Sequence, residues 1–269
     1  MKKISKNLLS AIKASLEAGK KILEVYHSDN FELEFKNDSS PLTKADLLSN
    51  TAILNVLNAE NSIPVLSEEG KKIDYNTRKR WKKIWIIDPL DGTKEFVKRN
   101  DEFTVNIALV ENQIPVLGVI YVPVTRDLYF SEKKIGSYKI NMSNFSNNFD
   151  KLIESSTKLP IDYDNKSYTI VASRSHMSNE TEQFIKDKKK KYENIELISR
   201  GSSLKLCMVA EGKAKCYPRY APTMEWDTAA GQAICEHAGF QVIDYETKQN
   251  MLYNRKELLN NWFLITNIK

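Results

Sequence analysis

An apolar strand pattern that ends abruptly in charge constrains this chain more than any other feature. In Trp85-Ile86-Ile87-Asp88-Pro89-Leu90-Asp91-Gly92-Thr93, residues suited to a sheet interior lead straight into two carboxylates. Asp88 and Asp91 stand three residues apart, and Pro89 fixes one backbone dihedral between them. Both side chains can therefore face one small volume while the Leu90 carbonyl points at the same place. Gly92 lets the backbone approach an anion closely, and Thr93 adds a hydroxyl. The pattern reads as a metal site beside a phosphate, and oxygen ligands with no neighbouring His or Cys favour Mg²⁺ over zinc. Asp, Pro and Gly are also ordinary turn formers, so a simple turn is the competing reading. Two further acidic stretches weigh against it. Ile63-Pro64-Val65-Leu66-Ser67-Glu68-Glu69-Gly70 is a second apolar run ending in carboxylates, and Glu225-Trp226-Asp227-Thr228-Ala229-Ala230-Gly231 puts an Asp at the head of an Ala-rich helix. Taken alone, Asp227 reads as a helix N-cap.

With those three stretches in hand, the chain resembles the lithium-sensitive, magnesium-dependent phosphatases that include inositol monophosphatase. The resemblance is carried by D-P-L-D-G-T at Asp88 to Thr93, by the Glu68-Glu69 pair and by W-D-T-A-A-G at Trp226 to Gly231. Within that family it is similar to the bacterial CysQ type, the 3′(2′),5′-bisphosphate nucleotidases, throughout Asp88 to Leu109. Ala172-Ser173-Arg174-Ser175-His176, Gly201-Ser202-Ser203-Leu204-Lys205, and Val209-Ala210-Glu211-Gly212 leading to Tyr217-Pro218-Arg219 agree as well. The match runs from Ser40 to the end of the chain. It departs at Gly70-Lys71-Lys72, where an acidic residue is expected, and at Thr223-Met224-Glu225, where a less charged approach to Trp226 is usual.

The resemblance implies an α/β chain of layered αβαβα sugar-phosphatase architecture. An N-terminal α+β half (1–150) would carry most metal ligands, and a C-terminal α/β half (151–269) would carry Asp227, with the site in the cleft between them. It implies that Glu68, Asp88 and the Leu90 carbonyl hold one Mg²⁺ and that Asp88, Asp91 and Asp227 hold a second, with two or three ions per site. Four gathered carboxylates would otherwise repel one another and take up protons. Thr93, with Asp46 behind it, would orient and deprotonate the attacking water, and the Gly92 and Thr93 amides would receive phosphate oxygens. The expected reaction is hydrolysis of the 3′-phosphate of adenosine 3′,5′-bisphosphate to AMP, with 3′-phosphoadenosine 5′-phosphosulfate as a further substrate. Besides Glu68, Leu90, Asp91 and Asp227, the expected substrate contacts are His176, Ser202, Ser203, Lys205 and Arg219. The alternatives are an inositol- or sugar-phosphate monoesterase on the same fold, disfavoured by Lys94-Glu95-Phe96 after the Thr, and a non-catalytic nucleotide sensor, disfavoured by retention of every carboxylate.

Composition bounds the remaining classes. With 269 residues, 41% of them hydrophobic, the chain suffices for a globular protein of one large domain or two sharing a core. The net charge of +5 suits an anionic small molecule. Lys186 to Lys191 form the densest charge run and read as a solvated helix face, and without aromatic interleaving nothing indicates nucleic-acid binding. No stretch approaches membrane-spanning length, and the start lacks a signal-peptide pattern. Cys207, Cys216 and Cys235 have no metal-ligand spacing. These features point to the cytoplasm, with peripheral association at the inner face of the membrane left open, and to a monomer or homodimer.

Ile4, Leu8, Ile12, Leu16, Ile22 and Tyr26 recur at helical spacing, and Thr43-Lys44-Ala45-Asp46 has the form of a capping box, placing a second helix near Asp46. Phe103 to Leu109 alternate as a strand, Val116 to Val122 return antiparallel, and Leu128 to Phe130 form a third strand. Asn- and Ser-rich residues 141–150 mark the expected boundary. Beyond it, Tyr168 to Ala172 reads as a strand, and helices are expected over Glu180 to Tyr192, Ser202 to Glu211 ending at Gly212, and Asp227 to His237 ending at Gly239. His27 and His237 read as structural.

Overall fold

The computed structural model describes residues 3–28, 34–35, 41–60, 62–146, 148–163, 167–172 and 178–267. Two helices open the chain, α1 (Lys6–Tyr26) and α2 (Lys44–Glu60), with the two-residue strands β1 (Glu34–Phe35) and β2 (Pro41–Leu42) paired between them. Ser5 caps α1 by accepting the Leu8 N–H at 3.1 Å. At α2 the Asp46 carboxylate reaches back to the Thr43 N–H at 2.8 Å. The helix thus starts two residues before Asp46, because Thr43 is its cap and Asp46 the third residue of its first turn.

A seven-stranded sheet follows, in the order β3 (Val65–Ser67), β4 (Lys83–Asp91), β5 (Thr104–Glu111), β6 (Ile114–Val122), β7 (Asp127–Glu132), β8 (Gly136–Asn141), β9 (Thr157–Lys158). The short helices α3 (Tyr75–Arg78) and α4 (Thr93–Val97) flank β4. All pairs are antiparallel except β3 with β4. A five-stranded sheet occupies the rest of the chain, in the order β11 (Ile195–Ser199), β10 (Tyr168–Ala172), β12 (Cys216–Arg219), β14 (Phe263–Asn267), β13 (Phe240–Asp244). Its helices are α5 (Asn179–Lys189), α6 (Leu204–Glu211) and α7 (Glu225–His237). Gly212 and Gly239 adopt φ of 88° and 93° and end α6 and α7 at the positions their sequence implies.

Alternation along β4 explains the layering. Trp85 and Ile87 face one way into a core shared with Leu8, Ile12 and Ile22 of α1 and Ile53 and Leu57 of α2. Ile84 and Ile86 face the other way into a core shared with Leu206 and Val209 of α6, Ala229 and Ile234 of α7, and Tyr217, Val242 and Phe263 of the second sheet. Ile170 and Cys216 pack against Ile185 of α5 on the outermost face. The order is therefore helices, sheet, helices, sheet, helix, the layered αβαβα arrangement expected. Gly118 on β6 lets α7 approach, since a Cβ there would stand 2.3 Å from the Ala230 carbonyl oxygen. No helix among the described residues is long and apolar enough to cross a membrane.

Candidate active site

Instead of ending before the carboxylates, β4 runs through Asp91, with an irregularity between Asp88 and Asp91 where pairing to β5 slips. The break lets Asp88, opposite Asn106, and Asp91, opposite Thr104, both turn out of the ladder. Asp88 is buried, and its Oδ1 accepts the Leu90 N–H at 3.1 Å. Glu68 follows β3, and Asp227 lies in the first turn of α7. Carboxylate oxygens of Glu68, Asp88 and Asp227 all lie within 4.8 Å of one another. Burial, then the charges of Glu68, Asp91 and Asp227, push Asp88 well above the usual carboxylate range. Burial and then Asp91 raise Asp227 to about 8. An all-oxygen set whose members suppress one another's ionisation is suited to a hard divalent cation, which would relieve the repulsion.

Helix α7 begins at Glu225, two residues before the expected start. Met224 is its N-cap, and Asp227 accepts the Met224 N–H at 2.8 Å. Glu225, noted above as a departure, is fully buried and accepts the N–H groups of Asn254 and Arg255 at 2.6 and 3.0 Å. It ties the start of α7 to the chain that precedes β14. Burial raises it to about 7.

Asp46 and Thr93, 47 residues apart in sequence, meet at 3.2 Å between the Thr93 hydroxyl and Asp46 Oδ1. The hydroxyl also lies 3.3 Å from the Leu90 carbonyl. Asp46 is fixed from behind, because Oδ2 accepts from the Thr43 N–H and hydroxyl at 2.8 and 2.6 Å. Gly92 caps α4 with φ of 94°, a conformation in which a Cβ would meet the Glu102 carbonyl at 3.0 Å.

Asp91 is held differently from the other carboxylates. Its Oδ2 accepts the Ser202 hydroxyl, the Ser203 N–H and the Ser203 hydroxyl, each at 2.7 Å. Ser202 adopts φ of 51°, which costs an L-residue about 1–2 kcal/mol and is sustained only where its surroundings demand it. Asn106 and Thr104 on β5 support this arrangement, and the sequence pattern singled out neither, because the strand was read from its apolar face.

A cavity of about 150 Å³ opens beside Asp91 and Asp227, and its lining includes Lys94, Arg200, Lys205 and Arg219. The Lys205 ammonium is buried and donates to the carbonyls of Ser202 at 2.6 Å and Arg200 at 3.1 Å. Burial lowers its pKa to about 8. Arg219 donates to the Pro222 carbonyl at 2.8 Å, and its Nε is buried without a hydrogen-bond partner among the described residues. Arg200 was not singled out by motif, because nothing local distinguishes it from a surface cation, and Lys94 was read only as part of the motif after Thr93 and not as a cation of the cavity. His176 lies outside the described residues. His237, at the C-terminal end of α7, contacts the Ser131 hydroxyl of β7 at 3.1 Å and does not line this cavity.

The sequence profile of the inositol monophosphatase family matches residues 5–268. The chain belongs to the inositol monophosphatase family. Among its relatives is the 3′(2′),5′-bisphosphate nucleotidase CysQ of Salmonella typhimurium, 41% identical over 252 residues, which are 93% of this chain and 95% of the relative. The CysQ of Escherichia coli K12 is 38% identical over the same shares. The crystal structure of CysQ from Bacteroides thetaiotaomicron superposes with a TM-score of 0.89 at 50% identity, covering 98% of this chain and 97% of that one. The inositol monophosphatase of Thermotoga maritima, at 21% identity and a TM-score of 0.73 over 98% and 92% of the two chains, shares the fold. Family members are metal-dependent phosphatases, and the acidic cluster of this chain can hold a metal ion.

Proposed function

We propose that this family member is a Mg²⁺-dependent phosphatase that removes the 3′-phosphate of adenosine 3′,5′-bisphosphate, giving AMP and phosphate, and accepts 3′-phosphoadenosine 5′-phosphosulfate as well. The observation that carries this reading is the juxtaposition of the carboxylate cluster with a cavity lined by Lys94, Arg200, Lys205 and Arg219. A bisphosphate needs cations beyond those that handle the reacting phosphate, and a simple monoester does not. The names of the relatives support it. Three buried free thiols, Cys207, Cys216 and Cys235, support a reducing, cytoplasmic setting.

In this mechanism Glu68, Asp88, the Leu90 carbonyl, Asp91 and Asp227 would hold two or three Mg²⁺ ions. Bound there, the ions neutralise phosphate charge and lower the pKa of water. The residues of the chain do the rest. Asp46, locked by Thr43, takes the Thr93 hydroxyl proton at Oδ1, so Thr93 Oγ1 is left to accept a proton from the attacking water. The N–H groups of Gly92 and Thr93 receive phosphate oxygens. Ser202 and Ser203 act through Asp91, and Lys205 and Arg219, which line the cavity, meet the second phosphate. The test is a substrate panel with Mg²⁺. We expect kcat/KM for the bisphosphate to exceed that for inositol 1-phosphate, and Arg219→Ala to lower the former far more than the latter. A wild-type preference for inositol 1-phosphate would reverse the assignment.

A further inference from the structure

Three alternate residues of β5 and its approach read three consecutive residues of the loop between β11 and α6. Glu102 Oε2 accepts the Gly201 N–H at 2.8 Å. The hydroxyls of Thr104 and Ser202 are 2.7 Å apart. Asn106 Nδ2 donates to Ser203 Oγ at 2.8 Å. Residues two apart on a strand share a face, so E-F-T-V-N lays out a straight template along which Gly201, Ser202 and Ser203 are pinned one after another. The loop so pinned supplies all three 2.7 Å donors to Asp91 Oδ2. Its closeness to the template is itself a constraint, since a Cβ at Gly201 would lie 2.8 Å from Glu95 Cγ and 3.1 Å from the Glu102 carbonyl.

We infer that Glu102 is a positioning residue for the phosphatase site: by capping the Gly201 N–H it holds Ser202 in its left-handed conformation and thereby sets the orientation of Asp91. Thr104 and Asn106 touch the groups around Asp91 themselves, whereas Glu102 reaches them through the loop. Its other oxygen pairs with the Arg200 guanidinium, Oε1 standing 3.8 Å from Nε, and a Gln at 102 would remove that charge while keeping the acceptor for Gly201. The inference rests on the reading of Asp91 as a metal-holding carboxylate, but one arm of its test does not.

In the metal-free protein, Glu102→Ala should speed hydrogen exchange at the Gly201 and Ser203 amides at least tenfold, while Glu102→Gln, whose amide oxygen still accepts, should stay within about threefold of wild type. With Mg²⁺ and the bisphosphate, Glu102→Ala should lose roughly tenfold or more in kcat with KM little changed, and Glu102→Gln should recover most of it. Mn²⁺ affinity by calorimetry should weaken in the Ala variant alone. If Glu102→Ala does not fold, Glu102→Met fills the space without an acceptor and takes its place. Wild-type exchange rates in the Ala or Met variant overturn the inference, as does a Gln variant as impaired as Ala. A wild-type protein that releases no phosphate would sink the functional reading while the exchange arm still decides this one.

Discussion

Gly118→Ala tests whether the contact between β6 and α7 sets the geometry of the site. The new Cβ would lie 2.3 Å from the Ala230 carbonyl oxygen and 2.9 Å from Ala233 Cβ. The first neighbour is helix backbone, which cannot swing aside as a side chain can. Helix α7 must retreat by roughly 0.7 Å to reach about 3.0 Å, the nearest approach such a pair tolerates. Overpacking of this kind costs about 1–3 kcal/mol. For a chain of this size each kcal/mol lowers Tm by about 2–4 °C, so a fall of about 2–12 °C is expected in differential scanning calorimetry. The displaced helix also carries Asp227, whose carboxylate lies within 4.8 Å of those of Glu68 and Asp88. Moving one ligand of such a cluster by a large fraction of an ångström should lower kcat about 10- to 100-fold at saturating Mg²⁺. Far-ultraviolet circular dichroism should be unchanged. A Tm within about 1 °C of wild type together with kcat within about twofold would refute the claim that the close packing at Gly118 positions Asp227.

Three further outcomes are expected. Thr93→Val keeps the shape of the side chain but removes the hydroxyl beside Asp46, and kcat should fall about 10²- to 10⁴-fold with the fold intact; a phosphate-release assay near wild-type rate would remove Thr93 from proton transfer. Mg²⁺ should be required and Ca²⁺ should inhibit, because Ca²⁺ takes the same oxygens at longer distances and in looser geometry; full activity in excess chelator would exclude a metal mechanism. Burial, helped by Lys133, lowers His237 from the ordinary 6.5 to about 4. The unfolded chain therefore binds a proton between pH 6.5 and 4 that the folded chain refuses, and stability should fall by on the order of 3 kcal/mol as pH drops through that window. His237→Asn should flatten this limb of the Tm profile, and an unaltered profile would show that another group governs it.

Much of the scaffold was legible because local pattern and burial coincide. Helix α1 is apolar at every third or fourth position and buries that stripe, and Gly212 and Gly239 mark helix ends by the positive φ they adopt. Strand β5 lies where alternation put it, β6 and β7 follow where the apolar runs after it put them, and the acidic ends of β3 and β4 meet. Strand β8, polar in sequence, owes its existence to pairing with β7 and was not legible. The same holds for the passage of β4 through Asp88-Pro89-Leu90-Asp91, which reads as a turn locally but keeps its strand partner Thr104 on β5. Glu225 read as a departure and proved to be a buried anchor.

The sequence by itself determined which oxygens could serve a metal and a water, because those are properties of residue types and short spacings. What only the tertiary structure decided is where each oxygen points. Asp91 is turned by Ser202 and Ser203, more than a hundred residues away, and Asp46 meets Thr93 only because α2 packs against β4. Such contacts join segments whose separation carries no local signal, and they form when burial of apolar faces on both sides of one sheet fixes the layers. Orientation at the site is thus a consequence of packing that no single segment encodes.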